Sequence, residues 1–277
     1  MQTSILITGC SSGIGLCAAQ TLQARGWLVI ATCRQKSDIE RLMSLGLKHV
    51  LQLDLNDEDS IETGFRQAVE VASGKLDALF NNGAYGQPGA VEDLTTKALR
   101  LQFESNVFGT HALTRLAVQH MLEQGGGRIV QNSSVLGLVA MPFRGAYNAS
   151  KFALEGLTDT LRLELKDSPV SISLIEPGPI ESQFRANALI ALKGNVDIKA
   201  SRHQAGYEAA MTRLEATTSN SRFTLSADAV VKKLIHAIES DKPKARYFVT
   251  FPTYLMALLK RIFPIAWLDA VLIKGGS

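Results

Sequence analysis

The chain has 277 residues, 46% hydrophobic and 20% charged, which suits one large folded domain and excludes disorder, collagen-like repeats and coiled coil. A net charge of +3 and a pI near 8.7 are too mild for the basic clusters that nucleic-acid binding needs, so no nucleic-acid partner is expected. Cys10, Cys17 and Cys33 lack disulfide-framework or zinc spacing, and His49, His111, His120, His203 and His236 are scattered; a reducing, cytoplasmic setting without a metal is the expectation.

Strand-like and helix-like runs alternate from the start. Ser4–Ile7 is a short apolar run with no basic flank, a buried strand rather than a signal peptide. Ile14–Arg25 reads as a helix stopped by Gly26. Trp27–Thr32 and Val50–Leu53 are predicted strands, and Ser60–Ser73 a helix capped by Ser60. Ala78–Phe80 is the next strand, followed by a long helix, Leu99–Glu123, that stops at Gly125-Gly126-Gly127. Arg128–Asn132 is a strand. In Tyr147–Lys166, Leu154, Leu157, Leu161 and Leu165 share one helical face. Ser171–Ile175 and Arg246–Thr250 are the last strands, with the helix Ala227–Ser240 between them behind the cap-like Ser226. Residues 179–225 form the one long excursion between strands. It holds a helical stretch, Gln204–Ala216, and is predicted to be a substrate lid.

Residues 251–277 are apolar but interrupted by Pro252, Lys260, Arg261, Pro264 and Asp269, so no spanning helix is expected. Two readings stay open: packing on the domain or a partner subunit, or peripheral contact with the inner face of a membrane through Tyr254, Trp267 and the Lys260-Arg261 pair. The alternation predicts an α/β doubly wound Rossmann fold. It would be a single domain, 1–277, around a seven-stranded, mainly parallel sheet with helices on both faces.

The first strand runs into Thr8-Gly9-Cys10-Ser11-Ser12-Gly13-Ile14-Gly15 and then a helix. Gly9 permits a sharp turn, Gly13 a close backbone approach to a pyrophosphate, and Gly15 tight packing of helix on strand. The helix N-terminus offers free N–H groups to the phosphates. The second strand ends at Arg34, with no carboxylate before Asp38. An arginine there accommodates the 2′-phosphate of NADP(H), with Ser11 and Ser12 as further donors. Asp54 is a candidate for the adenine amino group or, equally, a cap for the turn at Asn56-Asp57. Cys10 sits at a helix N-terminus, where a packing role is favoured over a reactive thiolate.

Tyr147 and Lys151 stand one helical turn apart, so a cationic Lys151 is expected to lower the phenol's pKa and make Tyr147 a general acid or base. Ser134, just past a strand end, is placed to hydrogen-bond a substrate carbonyl. Met141, Phe143, Phe184 and Tyr207 are candidate pocket walls.

The set Thr8–Gly15, Asn81-Asn82-Gly83-Ala84, Asn106-Val107-Phe108-Gly109, Ser134, Tyr147-x-x-x-Lys151 and Pro177-Gly178 resembles the short-chain dehydrogenase/reductase family, in that family's order and over residues 1 to 180. The glycine turn with Arg34, the Asn106 segment and the Ser133–Lys151 stretch look like the branch of 17β-hydroxysteroid and retinol dehydrogenases. Lys242–Tyr247 and the apolar tail look like bacterial NADP-dependent aldehyde reductases.

The resemblance implies Tyr147 as proton donor in reduction, Lys151 as its pKa-lowering partner and ribose holder, and Ser134 as carbonyl orienter. Asn106 would anchor a proton relay, and Asn81 would support the sheet and contact the cofactor. Pro177 and Gly178 would line the nicotinamide, with Ile180 and Ser182 nearby. The family usually reads Asn-Asn-Ala-Gly where this chain has Gly83-Ala84. It also often has a threonine after Pro-Gly, for which Ser182 would substitute.

The expected activity is NADPH-dependent reduction of an apolar aldehyde or ketone. Oxidation of a steroid- or retinoid-like alcohol is the alternative, and a catalytically silent cofactor-binding regulator the alternative of another class. A homodimer or homotetramer through Leu99–Glu123 and Tyr147–Lys166 is implied.

Overall fold

The computed structural model describes residues 2–215 and 223–276. Chain order is β1 (Ser4–Ile7), α1 (Gly13–Ala24), β2 (Leu28–Cys33), α2 (Ser37–Ser44), β3 (His49–Gln52), α3 (Glu58–Val71) and β4 (Ala78–Asn81). Next come α4 (Thr96–Phe103), α5 (Thr110–Glu123), β5 (Gly127–Asn132), α6 (Gly145–Glu164), β6 (Val170–Glu176), α7 (Phe184–Asn195) and α8 (Gln204–Glu215). The chain closes with α9 (Asp228–Glu239), β7 (Arg246–Phe248), α10 (Phe251–Ile262) and α11 (Ile265–Gly276).

The sheet has seven strands in the order β3-β2-β1-β4-β5-β6-β7, and every pairing is parallel. Period-two alternation sorts the strand residues onto two faces. Ile5, Ile7, Ala31, Ala78 and Phe80 pack against α1 and α9. Leu6, Ile30, Leu79, Ile129 and Ile172 pack against α3, α5 and the end of α6. Both faces are covered, which is why the strands are apolar throughout. The strand order reverses between β1 and β4, so the crevice at the carboxyl ends of these strands is where a ligand site belongs.

The long helix expected over Leu99–Glu123 is two helices, α4 and α5, joined by a π-helical turn over Glu104–Gly109. Apolar spacing reads through such a turn and does not register the extra residue. Helix α3 starts earlier than expected, because Asp57 is its cap and accepts from Ser60 N at 3.2 Å. The Ser60 hydroxyl instead accepts from Asp54 N at 3.0 Å. Helices α2 and α7 were not expected. Of the stretch 179–225, residues 216–222 lie outside the described residues, as does Ala216, the predicted end of α8.

Residues 251–276 fold into two helices that pack inward. Met256 and Leu272 join Val135, Leu136 and Val139 in an apolar cluster, and Lys260 Nζ lies 4.9 Å from the centre of the Phe152 ring on α6. Among the described residues no helix is long and apolar enough to cross a membrane. Cys10 is fully buried, its thiol donates to Ile7 O at 3.3 Å, and burial pushes its pKa up to about 12. It is a packing residue, not a thiolate.

Candidate active site

A cavity of about 670 Å³ opens at the carboxyl edge of the sheet. Four strand ends feed it: Gly9–Ile14 after β1, Asn82–Ala84 after β4, Asn132–Leu136 after β5 and Pro177–Ile180 after β6. At the first of these, Gly9 holds φ +69°, a left-handed turn that favours glycine. A Cβ on Gly15 would lie 2.3 Å from Gly9 O, so the helix packs directly on the turn. Helix α1 begins after Ser12 with no side-chain cap and no acidic residue in its first turn. Its N–H groups are thus left for a ligand, and Ser11, Ser12, Gly13 and Ile14 line the cavity beside them. An uncapped, glycine-lined helix start fits a dinucleotide pyrophosphate.

Gly83 is packed where the related pattern has alanine: a Cβ there would come 2.9 Å from Leu55 Cδ1. The methyl is carried one residue on, by Ala84, on the cavity wall. Ser182 does reach the cavity, and its Cβ lies 3.1 Å from where a Gly13 Cβ would sit. Ile180 lines the wall as well and pairs as an isolated bridge with Leu225.

Asn81 departs from expectation. Its amide donates to Thr114 Oγ1 on α5 at 2.9 Å, and it does not line the cavity. Support of the sheet stands; contact with the cofactor is corrected, because alternation turns residue 81 to the helix face and residue 82 to the crevice. Asn82, missed in the sequence, takes that place. It donates to Thr8 O at 3.0 Å and accepts from Asn132 Nδ2 at 2.9 Å.

Arg34 is exposed and lies outside the cavity wall, with its charge close enough to Tyr85 to draw that phenol's pKa down against burial. A second cation, Arg41, reaches the glycine turn. It donates to Ser11 O at 2.8 Å and pairs with Asp38 at 2.6 Å. Asp54 Oδ1 accepts from Asn56 N and Nδ2, both at 3.0 Å, which is the turn-capping reading.

The chemical groups converge at the other strand ends. Ser134 caps a short 3₁₀ turn over Val135–Gly137, its hydroxyl accepting from Leu136 N at 3.1 Å. It also lies close enough to the Tyr147 phenol to pull that group's pKa down. Lys151 is buried and donates from Nζ to Asn132 O at 2.7 Å, lying 5.7 Å from the centre of the Tyr147 ring. Asn106 sits in the π-helical turn. Its amide accepts from Tyr85 N at 3.2 Å and donates to Tyr85 O at 3.0 Å and Ser150 Oγ at 3.2 Å. It thereby fixes the loop after β4 to the catalytic helix, and an added residue in a helix is often found at such sites.

The electrostatics differ from expectation. Burial pushes the Tyr147 phenol up to about 12, against the pull of the Ser134 hydrogen bond and the Arg144 charge. Lys151 is not among the groups that lower it. Burial brings Lys151 itself down to about 8. The expected Lys151-driven depression of the phenol is corrected: desolvation of the phenolate outweighs a cation held on Asn132 O.

The predicted wall residues Met141, Phe143 and Phe184 line the cavity. Phe184 meets the Tyr147 ring edge-on at 5.3 Å. Tyr207 does not line it: it is buried between α8 and the loop before α4, its hydroxyl accepting from Ala90 N at 2.8 Å and donating to Asp93 Oδ2 at 2.7 Å. Helix α7 contributes Arg185 and Ala188 and α8 contributes Ala210, Arg213 and Leu214. The tail contributes Met256, Val271 and Leu272, so the apolar C-terminal helices are part of the site's wall.

Residues 3–193 match the family model described as short chain dehydrogenase. The chain is 41% identical over 276 residues to the uncharacterized oxidoreductase YbbO of Escherichia coli, covering 98% of this chain and 94% of that protein. It is 32% identical over 263 residues to human 17-beta-hydroxysteroid dehydrogenase type 1, covering 90% of this chain and 78% of that one. A crystal structure of a short chain dehydrogenase/reductase from Burkholderia phymatum in complex with NAD superposes with a TM-score of 0.79 at 25% identity, over 94% of this chain and 92% of that one.

Proposed function

The chain belongs to the short-chain dehydrogenase/reductase family and is an NAD(P)-dependent oxidoreductase; on that footing we propose that it is an NADPH-dependent reductase of apolar aldehydes or ketones. The observation that supports the reading is geometric: Ser134, Tyr147 and Lys151 meet in one cavity whose wall also holds the apolar Met141, Phe184, Met256 and Leu272. In reduction the protonated phenol gives its proton to the carbonyl oxygen, and in the reverse reaction the phenolate takes one from the alcohol. The bound nicotinamide supplies the hydride. Gly9, Ser11, Ser12, Gly13, Ile14 and Gly15 would hold its pyrophosphate, and Lys151, Pro177, Gly178, Ile180 and Ser182 its nicotinamide half.

Ser134 holds the carbonyl oxygen beside the phenol, where charge builds as the carbon is reduced. Tyr147 releases its proton to that oxygen. The Ser134 hydroxyl, which pulls the phenol's pKa down against burial, stabilises the phenolate that remains, and Lys151, charged below about pH 8, would hold the nicotinamide ribose. Met141, Phe184, Met256 and Leu272 exclude water from the reacting carbonyl. From the stretch 179–225, read as a lid, the described helices α7 and α8 supply part of this wall.

The preference for NADPH rests on two cations, Arg41, which donates to Ser11 O in the glycine turn, and the exposed Arg34 that follows the second strand. The test is NADPH consumption against a panel of aliphatic and aromatic aldehydes and ketones, with NADH in parallel. Turnover with NADPH, and a roughly tenfold or greater loss of that preference in Arg34→Gln, is expected. Equal use of NADH by the unaltered protein would overturn the cofactor assignment, and no turnover with either cofactor would overturn the reductase reading.

A homodimer or homotetramer is part of the proposal. Phe108 (54% exposed) and Leu163 (64% exposed) lie on the segments expected to pair, with Phe152 and Leu157 between them. Gel filtration with light scattering checks it, and a clean monomer contradicts it. The tail also leaves Tyr254 and Trp267 exposed beside Lys260 and Arg261, which supports peripheral contact with an anionic membrane surface.

A further inference from the structure

The reductase reading leaves one feature of the cavity unexplained, its charge. Arg144, Lys151, Arg185 and Arg213 all line it, and among the described residues no aspartate or glutamate does. Lys151 is used by the catalytic group, on Asn132 O. Arg185 is not, and Arg144 meets it only through its charge on the Tyr147 phenol. Arg144 immediately precedes the catalytic helix, is half-buried, and donates to Met141 Sδ at 2.9 Å, a weak acceptor for a guanidinium. Burial and the charges of Arg213 and Arg185 together lower its pKa to about 10. Arg185 stands in the first turn of α7, where no acidic residue accompanies it and the helix dipole disfavours a cation.

Away from the cavity, carboxylates hold several of the arginines. Arg246 is bound by Glu155, Asp159 and Glu176, Arg202 pairs with Glu92 at 2.5 Å, and Arg25 with Glu239 at 2.6 Å. Clustered cations facing a cavity without carboxylates cost folding energy. An arrangement confined to the substrate end is therefore explained by an anion that arrives with a ligand. The lining also includes an apolar cluster, Val135, Leu136, Met256 and Leu272.

We propose that the substrate is amphiphilic, a carbonyl compound on an apolar body that also carries a carboxylate or phosphate, held by Arg144 and Arg185 while the carbonyl meets Ser134 and Tyr147. The inference rests on the reductase reading and names its substrate class. Arg144 discriminates it from a role in holding the cofactor: it adjoins Phe143 and the catalytic helix, whereas the phosphates belong to the glycine turn.

The experiment compares, with NADPH saturating, an ω-oxo carboxylate, its neutral methyl ester and an aldehyde phosphate monoester of similar chain length. The account expects kcat/KM for a charged substrate to exceed that for the ester by about tenfold or more. The better of the two charged compounds identifies the head group. That ratio falls toward one in R144Q and R185Q and in high salt, R144K retains part of it, and KM for the oxo acid moves more than KM for NADPH. Equal kcat/KM for acid, phosphate and ester overturns the inference while leaving the reductase reading intact. So does an effect of both substitutions on NADPH alone. If no carbonyl compound is turned over, the reductase reading fails, and calorimetric titration with an unreactive saturated dicarboxylate decides: binding lost in R144Q supports the anion site, and no binding to the unaltered protein overturns it.

Discussion

The two ends of the cavity are built in different ways. The catalytic end is made of strand termini and α6, and its catalytic side chains are partnered: Asn106 with Tyr85 and Ser150, Lys151 with Asn132 O, Ser134 with Leu136 N. The substrate end is made of helices added to the sheet's edge, α7 and α8 on one side and α10 and α11 on the other, and it presents side chains rather than backbone. Chemistry is placed where register allows no slack, and recognition where packing can vary. A Cβ on Gly178 would lie 2.1 Å from Thr250 Oγ1, so the tail is seated directly on the turn after β6 and the two ends meet there.

Removing the acid should give the largest effect. Tyr147→Phe is expected to lower kcat/KM for aldehyde reduction by about 10²- to 10⁴-fold, with NADPH affinity, measured by fluorescence titration, nearly unchanged. Loss of affinity in proportion to rate would mean that the phenol holds the cofactor rather than the proton.

Next is the ion cluster behind the catalytic end. Arg246 joins Glu155 on α6 to Glu176 at the end of β6, and both carboxylates are buried. Burial and the Glu155 charge push Glu176 up to about 8 even beside the arginine. Arg246→Met leaves these carboxylates without a cation and is expected to cost about 3–5 kcal/mol in urea unfolding. A change below about 1 kcal/mol would show that water already reaches the cluster.

At the substrate end the effect should be smaller and selective. Met256→Ala removes apolar wall next to Val135 and Leu136, and is expected to raise KM about tenfold for a long aliphatic aldehyde while sparing propanal. Equal effects on both would mean that α10 supports the catalytic end and not recognition.

Legibility in the sequence follows the same division. The glycine turn, Ser134, Tyr147 and Lys151 are local patterns at strand ends, and local patterns survive translation into structure. Asn106 was legible as a residue, but the π-helical turn that carries it was not, since one added residue leaves the apolar stripe readable as a single helix. Asn81 was expected to contact the cofactor as well as support the sheet, and Asn82 was not singled out, because the strand's inward phase is set by α5, which supplies Thr114 from 33 residues away. Arg41, Arg144, Arg185 and Arg213 carried no signal, because an arginine without its neighbours reads as surface. The tail's apolarity was visible, but its inward face was not: Met256 and Leu272 find their partners near residue 135 only after the fold is complete.

The central claim is that burial holds the Tyr147 proton, so that the catalytic end stands ready as an acid. The most direct measurement is the ultraviolet difference absorbance of wild type minus Tyr147→Phe, titrated from about pH 6 to about pH 10. The sign is fixed by a folded-state pKa raised to about 12: the proton stays on through this range, and no phenolate assignable to Tyr147 is expected. A one-tyrosine phenolate rising near neutral pH in the wild type, and absent from the variant, would contradict the account and place Lys151 in control of the phenol.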